Sequence, residues 1–235
     1  MKENHACCMA CRCLTFNQIF LFYNGPEPPE DVFKNFTDIK PFKDTCKTRT
    51  MRDLVQHNNW AVLKGSVYQI GTETVPLPGP ERAPQFLGDI YQHWVDASDE
   101  VALVPGLIAS MAFQPAPKAL ARVARSKGGD LLDLDEDHDR LVVEFNYSFT
   151  FNSSSEDVDA AMRDTFGGVG DLVRHYTEAG DLPGDAYLPL FSNDAFYSQD
   201  YWGRLRPEKT ALARRVQQEL DPKGMFKKRT GGWKL

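Results

Sequence analysis

The sequence has no apolar run approaching the ~20 residues that a bilayer-spanning helix requires, so nothing in it reads as a transmembrane segment. It has no surplus of positive charge. Lys and Arg number 27 against 33 Asp and Glu, a net −6 over 235 residues, which argues against a dedicated nucleic-acid binder. It has no Gly-x-Gly-x-x-Gly opening a helix after a strand and no Gly-Lys-Ser/Thr phosphate loop, which removes the common backbone cradles for a dinucleotide or a nucleoside triphosphate. His57, His93, His138 and His175 stand apart from any Ser or Cys nucleophile elbow, so no hydrolase triad can be assembled. Residues 14–23 are apolar but hold Asn17 and Gln18 and run into Asn24-Gly25-Pro26. They read as a strand ending in a turn, not as the core of a signal peptide, and nothing assigns a compartment.

Cysteine is scarce beyond the first thirteen residues. Cys7, Cys8, Cys11 and Cys13 crowd the start beside His5, and Cys46 stands alone. Cys8 and Cys11 have the spacing of half a structural zinc site, but no second pair follows. The expectation is no metal and an unstructured Cys-rich stretch over residues 1–15. Hydrophobic residues make up 42% and charged residues 26%, the mix of a globular chain long enough to bury a core. Charge is uneven: residues 204–235 carry ten basic side chains against three acidic ones, a net +7 that leaves −13 on the rest. The plain expectation is a helix with a solvated polar face and a basic last turn that complements its dipole.

Pro26, Pro28 and Pro29, with Glu30 and Asp31 behind them, open a short helix through Val32, Phe33 and Phe36, and residues 49–57 hold a second. Residues 65–70 read as a strand, and the prolines at 76, 78, 80 and 84 as a loop. Phe86, Ile90, Trp94 and Val95 recur at helical spacing. Residues 107–113 form a strand and 116–126 a helix closed by Gly128-Gly129. Residues 141–150 alternate most cleanly: Leu141, Val143, Phe145, Tyr147 and Phe149 face one way, Glu144, Asn146 and Ser148 the other. That strand has one buried and one wet face, as in an antiparallel sheet. Ser153, Ser154 and Ser155 cap a long helix through Val158, Met162, Phe166 and Val169 to Tyr176, with Gly167, Gly168 and Gly170 expected to weaken or kink it. Leu205, Leu212, Val216 and Leu220 mark a last helix that Asp221-Pro222 ends. Several helices between strands give an α+β class: an antiparallel sheet covered by helices on one face, with a C-terminal helical return, not a regular βαβ winding.

Asp133, Asp135, Asp137 and Glu144 match positions 1, 3, 5 and 12 of a calcium loop. The sixth position needs Gly and holds His138, and a strand follows where a helix belongs, so calcium binding is rejected. Sequons at Asn35, Asn146 and Asn152 matter only if the protein is secreted.

The C-terminal quarter is more specific. Tyr187-Leu188-Pro189-Leu190-Phe191-Ser192-Asn193-Asp194-Ala195 precedes Tyr201-Trp202-Gly203; a helix with Arg204 and Leu205 follows, then Asp221-Pro222-Lys223-Gly224-Met225-Phe226 and Gly231-Gly232-Trp233. This order resembles the C-terminal end of the FAD-linked oxidoreductases of the vanillyl-alcohol-oxidase and berberine-bridge-enzyme-like superfamily. Their pattern is aromatic-x-Asn, Tyr-aromatic-Gly, a helix rich in Arg, Leu and Lys, then Asp-Pro and a Phe. Phe22-Tyr23-Asn24-Gly25-Pro26 is similar to the strand–turn–helix that opens the substrate domain of fungal members. Gly128-Gly129-Asp130-Leu131-Leu132-Asp133-Leu134-Asp135 is similar to their Gly-Gly-Asn-x-Leu-Gly-Leu motif. Coverage runs over about residues 16–235.

The resemblance implies a substrate domain whose sheet lies over the flavin ring, and a terminal piece that returns to a flavin domain. The expected layout is a Cys-rich 1–15, a substrate domain over 16–185 and a return segment over 186–235, without the N-terminal FAD-binding domain. Carried over by motif, Asn193 corresponds to the Asn whose amide hydrogen-bonds the flavin, and Tyr201 and Gly203 to the segment beside it. Phe191 stands where Tyr is common, a phenol that can assist substrate deprotonation. Asp194 stands where Tyr often follows the Asn, and Asp130 where Asn is usual. Phe191, Asp194 and Tyr147 are the substrate-side candidates, with no catalytic residue assigned. The implied function is hydride transfer from a small-molecule, secondary-metabolite substrate to FAD, with oxygen as re-oxidant. The implied partners are that small molecule and either a separate FAD-domain chain or a second copy. The alternative is a catalytically inert remnant that binds a small molecule or a partner protein.

Overall fold

A computed structural model describes residues 16–58 and 63–233; the Cys-rich stretch 1–15, with its Cys-x-x-Cys spacing, lies outside the described residues. The chain divides into two compact units, Met1–Lys64 and Gly65–Leu235. The first holds α1 (Lys34–Thr37) and α2 (Met51–Asn58), close to where the proline and Arg49 signals put them. Residues 16–23 form no strand, against expectation. A strand persists only where another strand completes its ladder of hydrogen bonds, and the described residues of this unit contain no second strand.

In the second unit β1 (Val67–Pro76), β2 (Ile108–Ala116) and β3 (Arg140–Phe149) form one antiparallel sheet in the order β1-β3-β2. The register sets Thr72 and Ala112 on either side of Glu144. β1 runs past the expected end at Ile70 to Pro76. The β-branched Thr72, Thr74 and Val75 fit the pleated surface, and Pro76, which cannot donate a ladder bond, falls at the end of an edge strand.

Helices α3 (Ala83–Glu100) and α5 (Ser155–Glu178) cover one face. Val143, Phe145, Tyr147 and Phe149 pack there with Phe86, Ile90, Val158, Met162 and Val169, all of them fully buried. Removing each such side chain from water stabilises the fold by roughly 1.5–3 kcal/mol. α5 is one uninterrupted helix through Gly167, Gly168 and Gly170, where a weakened or kinked middle was expected. The reason lies at Gly168, where a Cβ would collide with the His93 ring of α3. The missing side chain lets the two helices approach, and their packing supports α5 where the glycines alone would weaken it.

After α4 (Lys118–Ser126), the chain returns from β3 and α5 along the opposite side of the sheet before entering α6 (Pro207–Leu220) and α7 (Met225–Arg229). Three polar clamps fix this return. The Gln199 amide donates to Thr72 O at 2.7 Å while its oxygen accepts from Phe196 N at 2.8 Å and Thr72 N at 3.4 Å. The buried Arg140 guanidinium donates to Tyr187 O at 2.7 Å and to both Asp135 carboxylate oxygens at 2.7 Å. Arg204 donates to Glu73 at 2.6 Å and to Leu188 O at 2.7 Å. Behind them Leu190, Tyr201 and Leu205 form a second small core with Leu131, Leu132, Trp202 and Trp233. Residues 186–233 thus pack on the sheet within the second unit.

The basic segment is not simply solvated. Arg206 and Lys209 reach Asp133, and Arg206 also reaches Asp135 and lies 4.1 Å above the Tyr187 ring. Burial opposes ionisation of Asp135, but Arg140, the Asp137 N–H and Arg206 outweigh it and hold its carboxyl below the usual range. The acidic run once set against a calcium loop is thus held by arginine and lysine. Gln199→Leu leaves the Thr72 and Phe196 backbone groups unpaired and is expected to cost about 2–4 kcal/mol, measured as a lower urea midpoint at unchanged slope.

Candidate functional site

Alternation in the sheet sends Thr72, Thr74, Glu144, Asn146, Ser110, Ala112 and Gln114 to the face away from α3 and α5. The return segment closes one end of this face: Thr72 and Thr74 are buried, and the Thr74 hydroxyl donates to Pro189 O at 2.5 Å. The other end stays open. Ser110 and Ala112 are exposed, Asn146 is half-buried and Ile108 is 51% exposed, so small residues face outward with Ile108 at the far end of β2.

Glu144 sits at the border between the closed and open ends. Gln114 on β2 donates from Nε2 to Glu144 Oε2 at 2.8 Å and to Asp194 Oδ2 at 3.2 Å. Asp194 is carried there by a turn in which Phe191 O accepts from Asp194 N at 3.1 Å and from Ala195 N at 3.0 Å. One neutral amide therefore bridges two carboxyl groups. Burial, and then the Asp194 charge, push the Glu144 carboxyl above its ordinary value, with Gln114 opposing. Burial likewise pushes Asp194 up against the same amide. Glu73, Asp133 and Asp135 each have arginine or lysine partners; among the described residues no ion pair joins a cation to Glu144 or Asp194. A half-buried carboxyl with a raised affinity for protons, on an open face, is equipped to accept one.

The expected residues separate into three places. Phe191, Asn193 and Asp194 share the turn over the open face; Phe191 is half-buried and Asn193 exposed. Tyr201 is 4% exposed and lies behind that turn, its ring 4.9 Å from Trp202 and 5.3 Å from Trp233. Trp233 in turn donates to Ser192 O at 3.2 Å, which anchors the turn from below. Gly203 is exposed, and its N–H caps Asp200 at 2.9 Å, where a Cβ would strike the carboxylate. Tyr147 is elsewhere: fully buried on the helix-covered face, its hydroxyl 3.0 Å from both Ser98 and Thr165. The structure does not bring Tyr147 to the other candidates, because its position in β3 has the parity of Val143 and Phe145.

Glu144 and Gln114 were not among the expected site residues. The signal for Glu144 was present, a carboxylate in the middle of the wet face of the clearest strand. Gln114 carried none, because its role arises from the pairing of β2 with β3. Among the described residues no group of three or more His, Cys, Asp and Glu is placed to hold a metal, and no helix is long and apolar enough to cross a membrane.

A carboxyl whose pKa is higher folded than unfolded binds its proton more tightly in the fold, so stability falls as pH rises through the window between the two values. Glu144→Gln is therefore expected to raise stability near neutral pH and to leave it unchanged below about pH 4. Asp194→Asn is expected to return the Glu144 carboxyl toward its ordinary value. Urea unfolding at the two pH values and a carbon-13 titration of the Glu144 carboxyl check both.

No protein-family model matches the chain, and no solved structure matches it. Among curated proteins the chain is 35% identical over 218 residues to a protein of Arthroderma benhamiae named "Uncharacterized FAD-linked oxidoreductase", covering 92% of this chain and 43% of that one. It is 19% identical over 220 residues to the FAD-dependent monooxygenase drtC of Aspergillus calidoustus, covering 92% and 39%. The chain thus spans less than half the length of each curated relative and is similar to part of an FAD-linked oxidoreductase.

Proposed function

We propose that the chain is the substrate-side portion of an FAD-linked oxidoreductase of the vanillyl-alcohol-oxidase and berberine-bridge-enzyme-like superfamily, acting on a small secondary-metabolite-like molecule. The observation that carries this is the Glu144–Gln114–Asp194 bridge on the open sheet face, which no cation joins among the described residues. The order of motifs in residues 187–233 and the 35% identity to an FAD-linked oxidoreductase support the cofactor. Ser110, Ala112 and Asn146 present a surface low enough for a planar ring, and the exposed Asn193 offers an amide at its margin. These residues fit the ring end of FAD.

FAD, when bound, would supply the two-electron acceptor for the substrate's hydride, with oxygen as re-oxidant. The chain supplies the proton chemistry and the positioning. Phe191 has no phenol to take a proton, and the nearby carboxylate of Glu144 takes that part: it accepts the proton of a substrate O–H or N–H as the neighbouring C–H bond is broken. Gln114 binds Glu144 Oε2 and fixes the direction of the carboxylate. The Asp194 charge, held by the same amide, keeps Glu144 a better proton acceptor than an isolated carboxylate.

The test is co-expression with the part of the Arthroderma benhamiae relative that lies outside the matched region. A yellow complex is expected, whose flavin is bleached anaerobically by members of a panel of alcohols and amines. Glu144→Gln is expected to leave the colour intact and slow bleaching by about 10²-fold or more. Equal rates in wild type and Glu144→Gln would remove Glu144 from the reaction, and failure to take up flavin would favour an inert binding remnant.

A further inference from the structure

The turn that carries Asp194 is gripped at Ser192 by two aromatic side chains. Ser192 O accepts the indole N–H of Trp233 at 3.2 Å, and the Ser192 side chain is hydrogen-bonded to the Tyr201 phenol. The Tyr201 and Trp233 rings lie 5.3 Å apart, so the two groups that hold Ser192 also pack on one another. Trp202 packs on the same small core, yet its buried indole nitrogen has no hydrogen-bond partner among the described residues. An indole can thus pack here without a hydrogen bond, and the bond that Trp233 makes adds a fixed direction to its contact.

The chain brings Trp233 back by a short route. α7 ends at Arg229, Gly231 and Gly232 follow, and Gly232 has a φ of 87°. A residue with a Cβ adopts that left-handed conformation only with strain, although nothing lies within 4 Å of where the Cβ would be. Conformation, not space, calls for glycine at this turn.

From Ser192 the connection to the open face is equally short. The neighbouring Phe191 O accepts from Asp194 N and Ala195 N at 3.1 and 3.0 Å, and Asp194 Oδ2 accepts from Gln114 Nε2 at 3.2 Å. Bonds of 2.8 and 3.2 Å to one nitrogen leave the Glu144 and Asp194 oxygens no more than about 6 Å apart. At that range a shift of the turn by about 1 Å alters both the charge that Glu144 faces and its hydration.

We propose that Trp233 is a positioning residue of the Glu144–Gln114–Asp194 site: by holding Ser192 O, it keeps the 191–195 turn where Asp194 shares the Gln114 amide with Glu144. It acts through Ser192 and Asp194 and takes no part in proton transfer. That placement is a property of this chain alone; only its kinetic consequence rests on Glu144 being the proton acceptor.

Trp233→Phe keeps an aromatic ring against Tyr201 and removes the donor. Carbon-13 titration of the Glu144 carboxyl in the full chain, without flavin, is expected to show its midpoint moved down toward that of Asp194→Asn. In an Asp194→Asn background Trp233→Phe should move it no further. Gly232→Ala, which strains the turn and leaves the indole intact, should move it in the same direction. In the complex with the flavin-domain portion, Trp233→Phe should slow anaerobic bleaching by up to about 10²-fold and shift the rise of rate with pH downward. A wild-type Glu144 titration in both Trp233→Phe and Gly232→Ala would overturn the proposal even if their urea midpoints fall, since a purely structural tryptophan does that much. An equal shift with and without Asp194 would overturn it too. A moved titration with unchanged bleaching would uphold the positioning and remove Glu144 from the reaction, so the two readings fail separately.

Discussion

The side-chain amide of Gln199 occupies the place of a fourth strand beside β1. It donates to Thr72 O and accepts from Thr72 N, so the sheet edge is met by one residue of the return segment rather than by another strand. Arg140 and Arg204 then pin the preceding residues through the carbonyls of Tyr187 and Leu188. With those points held, the turn over residues 191–195 has little freedom in where it places Asp194. The site on the open face is therefore a consequence of how the sheet edge is closed.

Charge is distributed by the same logic. The buried or half-buried carboxylates that hold the return segment, Glu73 and Asp135, have guanidinium partners at 2.6 and 2.7 Å. A carboxylate partnered in this way serves as an anchor. Among the described residues Glu144 and Asp194 receive no cation but the neutral Gln114 amide, which satisfies hydrogen bonds without cancelling charge. The contrast within one unit separates carboxylates that hold the fold from carboxylates left available to bind or move a proton.

Most of the sheet unit was legible in the residues. The alternation of 141–150 and the recurrence of Phe86, Ile90 and Trp94 express local periodicity, and their burial follows from it. Errors arose where tertiary contacts decide. The glycines of α5 were expected to weaken or kink it, and sequence does not show that His93 packs against Gly168 and that the helix runs on unbroken. Residues 16–23 have strand-like composition, but composition does not supply a pairing partner. Tyr147 was named as a substrate-side candidate although its own parity in β3 assigns it to the core. Asp194 was picked from its place after Asn193, yet its chemical partners, Glu144 and Gln114, lie 50 and 80 residues upstream in strands whose register sequence does not display.

The central claim is that the sheet face bearing Glu144 is the one that meets the flavin. Photo-crosslinking of 8-azido-FAD in the complex with the flavin-domain portion, mapped by peptide mass spectrometry, tests it most directly. Adducts are predicted in β2 and β3 around Ser110, Ala112 and Asn146 and in the turn at Phe191 and Asn193. Adducts confined to α3 and α5, on the helix-covered side, would contradict it.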